Sequence, residues 1–241
     1  MKPPSQKTGQ KTGRNTGQKT GQKTGKTTAG VSCVILVGGE SKRIGADKAK
    51  VKFLNKTLFG RVFDVAAKIF SDIMVSAHSR DYTLSGLGLE DQKPRLIADT
   101  MAGRGPALGI ASALKNARND WVFVLACDHP MINGRLVRYL VQLRSGYDCV
   151  APVSGGKVQT MFSLYKKTCL APLTLSVKRG RRGLTQFLKN TEALKIRYVS
   201  EKELEKLDPG LKSFVDVDTP AELKRVQSMF SDSRKRGVKK G

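Results

Sequence analysis

The sequence predicts an α/β fold, a largely parallel sheet with helices on both faces. Three observations carry this. Short β-branched apolar runs alternate with segments whose apolar residues recur at helical spacing. The strongest runs, 31–37 and 121–126, hold no charge, as strands buried on both faces require. The polar motifs follow such runs, and open α/β sheets bind ligands outside the carboxyl ends of their strands.

The elements follow in order. The run Val31-Ser32-Cys33-Val34-Ile35-Leu36-Val37 reads as a buried strand ended by two glycines. Leu58, Val62, Val65, Ala66 and Ile69 predict a helix over 57–70. Strands are expected at 73–77 and 95–98. A helix should open near Pro106, whose fixed φ suits a first turn, and run to about Ala117. The strand 121–126, a helix over 134–143 and a strand at 148–151 come next. The second half is less regular. It offers a strand within 160–165, helices near Leu170 and Leu184, a late strand Ser213-Phe214-Val215, and a helix from Thr219.

At 241 residues the chain accommodates one sizeable domain, expected at 31–229. The first 30 residues are low complexity, with K-T-G-Q and its variants recurring every four residues from Lys7 to Lys26. They offer almost nothing to bury, so they cannot offset their ordering entropy and read as a disordered basic tail. Residues 230–241 read as a second basic tail. The formal net charge of +24 suits anionic substrates such as nucleotides, and equally non-specific contact with nucleic acid. No aromatic–basic stripe marks a nucleic-acid site. No apolar stretch approaches the roughly 20 residues of a membrane span, and no apolar leader is visible. Cys33, Cys127, Cys149 and Cys169 show no metal-ligand spacing and read as buried thiols in a reducing cytoplasm.

The chemistry begins where the first strand ends. In LVGGESKRIGADK, residues 36–48, glycines and bases let backbone N–H groups and positive charge approach an anion. Five residues separate Gly39 from Gly45, and Ala46-Asp47 precede Lys48, which excludes a Walker loop. The dinucleotide fingerprint is absent as well. Asp128 ends the apolar run in FVLACDHP, and Pro130 forbids simple continuation. A carboxylate fixed at a strand end is a hard oxygen ligand suited to magnesium. Asp99, in LIADTMAGRGPALG, follows another predicted strand, where a turn acid is the alternative reading. In FVDVDTPAEL, Asp218 or Thr219 ahead of Pro220 is a helix-cap signal.

The pattern LxGGxSxRxGxDK, with ACDHP and VDVDTPAEL, resembles the molybdenum cofactor guanylyltransferase family over about 33–227. The resemblance implies a three-layer, Rossmann-like nucleotidyltransferase fold with a mainly parallel sheet. It implies transfer of GMP from GTP to molybdenum-molybdopterin, with magnesium as cofactor and pyrophosphate as by-product. Molybdoenzymes or their chaperones would be downstream partners, with no membrane role. Lys48, Arg43 and Asp128 are the implied catalytic residues, with Asp128 on the metal. Leu36, Val37, Gly38, Gly39, Lys48, Ser76, Asp99 and Asp128 are the implied nucleotide contacts. Ser76 departs from the asparagine common at that place, and Asp216 and Asp218 stand where asparagines are frequent. Acids there could join the metal or orient the second substrate. Gly38, where cytidylyl relatives usually carry alanine, leaves room beside the base and favours GTP over CTP. Arg179, Arg181 and Arg182 offer charge to a second anion.

Overall fold

The computed structural model describes residues 28–37, 47–79, 81–89, 94–98, 105–181 and 183–238. Its elements are β1 (Val31–Val37), β2 (Lys52–Phe53), β3 (Lys56–Thr57), α1 (Leu58–Ala67), β4 (Ile73–Ala77) and β5 (Arg95–Ala98). Then come α2 (Pro106–Asn116), β6 (Trp121–Ala126), α3 (Gly134–Gln142), β7 (Cys149–Ser154), β8 (Lys157–Val158) and β9 (Phe162–Lys166). The chain closes with α4 (Leu170–Lys178), α5 (Leu184–Asn190), β10 (Ile196–Val199), α6 (Glu201–Glu205) and α7 (Pro220–Val238).

The main sheet runs β10-β7-β9-β6-β1-β4-β5, with β8 paired to β7. β1 sits between β4 and β6, parallel to both. Side chains alternate across it. Cys33, Ile35 and Val37 face α1 and α3, packing with Val62, Phe63, Leu136 and Leu140. Val34 faces α2 and α4, packing with Leu108, Leu114 and Leu173. β6 repeats the pattern, with Phe123 and Leu125 on the first side and Val122 and Val124 on the second. That is the expected mainly parallel α/β fold with both faces covered.

One strand departs from the expected direction. β9 is antiparallel to both β6 and β7. A parallel return needs a crossover of a dozen or more residues, and the stretch between β7 and β9 is too short. Instead Gly155 and Gly156, at φ +59° and +69°, close a two-residue hairpin between Ser154 and Lys157. Positive φ at both positions is the turn that matches strand twist, and glycine adopts it without strain.

The expected strand at 213–215 is a 3-10 turn over Lys212–Phe214. Leu211 enters the left-handed region at φ 49° and turns the chain. The Ser213 N–H then donates to Asp208 Oδ2 at 2.7 Å, so local bonds replace a ladder. β10 and α6 carry no expectation from the sequence. Four residues are too few for a periodic signal, although the Ser200–Glu203 capping box at α6 is readable in hindsight. α7 runs through Phe230 into the segment expected as a basic tail. α1 starts at Leu58 because Thr57 caps it, its Oγ1 accepting from the Gly60 N–H at 2.9 Å, and it ends at Ala67, before the expected Phe70. All four cysteines are buried and unbridged.

A small satellite cluster positions the site. Phe53 and Leu58 pack with Val217 and Val226 of the carboxyl-terminal segment. Phe230 of α7 meets the Phe53 ring edge to face at 5.6 Å. This folds residues 215–230 back over the stretch that follows the glycine-rich loop.

Candidate active site

Lys48 opens a 3-10 turn, Lys48–Lys50, just beyond the glycine-rich segment. The turn is held by Asp47. One of its oxygens accepts from the Ala49 N–H at 3.1 Å, and the other accepts from the Tyr82 hydroxyl at 2.9 Å. Lys50 lies over the Tyr82 ring at 5.7 Å. Tyr82 carries no sequence signal, since it sits in an irregular stretch without periodicity.

Asp128 reaches the same place from the end of β6. The Cys127 N–H still donates to the Leu36 carbonyl at 3.3 Å, so the pairing with β1 persists to the residue before it. The Asp128 carbonyl accepts from the Val217 N–H at 3.1 Å. Lys48 Nζ donates to Asp128 Oδ2 at 3.1 Å, and to Asp218 Oδ1 in a second ion pair. Two residues predicted from separate motifs, Lys48 and Asp128, therefore meet, and Asp218 joins them.

Asp218 does not cap α7 with its side chain. Thr219 takes that role. Its Oγ1 accepts from the Glu222 N–H at 3.2 Å, and the Glu222 carboxylate accepts from the Thr219 N–H at 2.9 Å. This reciprocal pair is the capping box that T-P-A-E encodes. Val217 is buried in the satellite cluster, its neighbour Asp216 is exposed, and Asp218 turns towards Lys48.

The electrostatics are those of a shared cation. Burial alone would lower the Lys48 ammonium, but Asp218 and Asp128 outweigh it and hold it above its usual value. Burial raises the Asp128 carboxyl, yet His129 and Lys48 more than reverse this, leaving it well below the usual carboxylate range. His129 is the next residue along the chain. It is 7% exposed, and its Nδ1 lies 2.9 Å from Asp128 Oδ1. The angle is too poor for a hydrogen bond, so both buried atoms lack a hydrogen-bond partner among the described residues.

The other predicted residues fall into three groups. Leu36 and Val37 end β1, opposite Ser76 and Ala77 of β4. Ser76 is 3% exposed and packs against α2, where a Cβ added at Gly109 would lie 2.9 Å from its Oγ and 3.0 Å from Leu36 Cδ2. Glycine at 109 is what lets α2 approach β1 and β4 so closely. Gly38, Gly39, Ser41, Arg43, Asp99 and Arg182 lie outside the described residues. Arg179 and Arg181 line a separate cleft of about 370 Å³ between α4 and α5, which includes neither Lys48 nor Asp128.

Among the described residues no three His, Cys, Asp or Glu side chains gather into a metal cage. The donor set nevertheless suits magnesium, which is commonly held by one or two carboxylates and completed by substrate phosphates and water. Asp128 and Asp218 already share one cation, and Asp128 Oδ1 is a buried oxygen with no hydrogen bond among the described residues. Among the described residues no helix is long and apolar enough to cross a membrane.

Comparison with known proteins adds an independent line. The MobA-like NTP transferase domain family matches residues 33–195. A protein of Pelotomaculum thermopropionicum named "Probable molybdenum cofactor guanylyltransferase" is 32% identical over 201 residues, covering 83% of this chain and 94% of its own. The molybdenum cofactor guanylyltransferase of Desulfosudis oleivorans is 27% identical, covering 85% of this chain and 98% of its own. Among solved structures, molybdopterin-guanine dinucleotide biosynthesis protein A of Archaeoglobus fulgidus superposes with a TM-score of 0.72 at 24% identity. It covers 83% of this chain and 99% of that one, which supports the fold.

Proposed function

The chain belongs to the MobA-like NTP transferase family and is a nucleotidyltransferase, and from that premise we propose that it transfers GMP from GTP to molybdenum-molybdopterin. The observation that carries the proposal is the Lys48 ammonium held between Asp128 and Asp218 at the carboxyl ends of the strands. Family names of the relatives supply the nucleotide and the acceptor.

The reaction is a displacement at the α-phosphate of GTP. An oxygen of the acceptor's terminal phosphate forms the new P–O bond, and the bond between the α- and β-phosphates breaks. Its electron pair leaves with pyrophosphate, and no covalent enzyme intermediate is needed. Magnesium on Asp128, with Asp218 beside it, would neutralise charge on the nucleotide phosphates. Lys48 supplies a permanent ammonium, since its ion pairs hold it above its usual value. The Asp47–Tyr82 contact keeps the turn carrying Lys48 in place. Arg43 adds a planar fork for phosphate oxygens. Leu36, Val37, Gly38 and Gly39 offer backbone to the nucleotide, with Ser76 of β4 and Asp99 as further contacts. The absence of a methyl at Gly38 favours guanine.

The test is incubation with magnesium, molybdenum-molybdopterin and each NTP in turn, with products identified by mass. Guanine dinucleotide formed from GTP supports the reading. Cytosine dinucleotide formed from CTP instead would assign CMP transfer, and no dinucleotide from any NTP contradicts the proposal.

A further inference from the structure

The opposite edge of the sheet carries a second feature. A cavity of about 810 Å³ opens at the amino ends of β6 and β7, and Trp121, Lys166, Asp148 and Lys195 line it. Trp121 pairs with Lys166 in register. The Lys166 N–H donates to the Asp148 carbonyl at 2.8 Å, and the Asp148 N–H donates to the Lys195 carbonyl at 2.7 Å. The four residues therefore stand in a row across adjacent strands, in steps of about 4.8 Å. Arg144 and Tyr147, on the turn after α3, form the other wall. The row lies about 20 Å along β6 from Asp128, so it is not part of the candidate active site.

The chemistry of the lining is specific. Trp121 packs one side against the core, and Tyr147 is 36% exposed. Arg144, Lys166 and Lys195 stand against a single lining carboxylate. That carboxylate, Asp148, is turned to the protein: Oδ1 accepts from the Thr168 hydroxyl at 2.7 Å and Oδ2 from the Lys195 N–H at 3.0 Å. Arg144 donates to the Val141 carbonyl at 2.9 Å and to the Ala29 carbonyl at 3.4 Å. The Ala29 contact places the start of the described residues beside Arg144.

Aromatic faces interleaved with cations recognise a phosphate chain whose bases stack. An acidic polypeptide would use the cations and leave both rings idle. We infer that this cavity binds single-stranded nucleic acid, with phosphates on Lys166, Lys195 and Arg144 and bases stacked on Trp121 and Tyr147. The sequence hides the site because its aromatic and basic residues come from four separate segments.

Trp121 is the only tryptophan in the chain, so fluorescence excited selectively at tryptophan reads this cavity alone. The full chain is titrated at low salt with an oligouridylate of about eight nucleotides, and with UMP, heparin and polyglutamate as controls. The oligonucleotide should quench Trp121, with affinity falling as salt rises by a log–log slope of about −0.7 per phosphate contacted. The double variant Lys166→Ala/Lys195→Ala should bind at least about tenfold more weakly and with a shallower slope. Tyr147→Ala should weaken binding about tenfold while leaving the slope unchanged. Circular dichroism confirms that each variant is folded. Binding without a change in Trp121 fluorescence, or wild-type binding by the folded double variant, places the contact on the basic tails and overturns the inference. Equal quenching by heparin or polyglutamate overturns it in favour of a general polyanion surface. Equal affinity for UMP overturns it in favour of a mononucleotide pocket.

Discussion

Lys48 and Asp218 lie 170 residues apart in sequence and form one ion pair, with the same ammonium bonded to Asp128. The pair is assembled by packing elsewhere. Val217 is buried against Phe53 and Leu58, and the Thr219–Glu222 box starts α7 one residue later. Burying a valine is worth roughly 1.5–3 kcal/mol and a cap about 1 kcal/mol, enough to fix where Asp218 points.

Asp218→Ala should therefore act on the metal more than on the fold. Asp218 sits at the protein surface side of the pair, while Asp128 remains to hold Lys48. Removing a carboxylate that supports a metal site typically weakens the metal 10–100-fold. The expected result is a rise of about tenfold in the magnesium needed for half-maximal turnover at saturating GTP. An unchanged magnesium dependence would remove Asp218 from the site.

Gly109→Ala tests the contact between α2 and the strands carrying Leu36 and Ser76. The added Cβ would meet Ser76 Oγ at 2.9 Å and Leu36 Cδ2 at 3.0 Å, so these two buried side chains must turn or move aside. Overpacking of this kind costs about 1–3 kcal/mol. The change should lower the urea midpoint without changing the m-value. Because Leu36 ends β1 beside the glycine-rich segment, KM for GTP should rise as well. Stability equal to wild type would show that α2 is not so closely seated.

Asp72 predicts a pH dependence of stability. It anchors the other end of β4, accepting from the Ser32 hydroxyl at 2.6 Å, Arg95 at 2.9 Å and the Arg118 N–H at 3.2 Å. Burial raises its pKa, but Ser32, the Arg118 amide and Arg95 outweigh that and hold it below its ordinary value. Its contribution is thus complete above the unfolded pKa of about 3.9 and is lost as pH falls towards the lowered folded value. Asp72→Asn should cost about 1–3 kcal/mol at neutral pH, and the gap from wild type should close below about pH 4 in urea melts. A gap that stays constant across that range would contradict the assignment.

Much of this site was legible in the sequence because its chemistry is local. Glycines and bases after a charge-free strand, and an acid closing another, announce Lys48 and Asp128 without reference to the rest of the chain. The partner Asp218 was not legible in the same way. The T-P-A-E box marks Thr219 as the cap, but where Asp218 then points depends on the tertiary contact of Val217. Tyr82 gives no signal at all. The direction of β9 was readable from Gly155-Gly156, since a two-residue turn forces an antiparallel return. Strand–helix alternation masks it by suggesting a uniform parallel sheet. The turn at 212–214 shows the reverse case, where an apolar dipeptide imitates a strand and Asp208 captures its backbone.

The most direct test of the account is the Asp128→Ala variant, read for magnesium-dependent guanylyl transfer alongside its circular dichroism. Lys48 keeps its ion pair with Asp218 in that variant, so the fold should persist. The account predicts a wild-type spectrum and no detectable magnesium-dependent turnover. Wild-type turnover by the folded variant would contradict it.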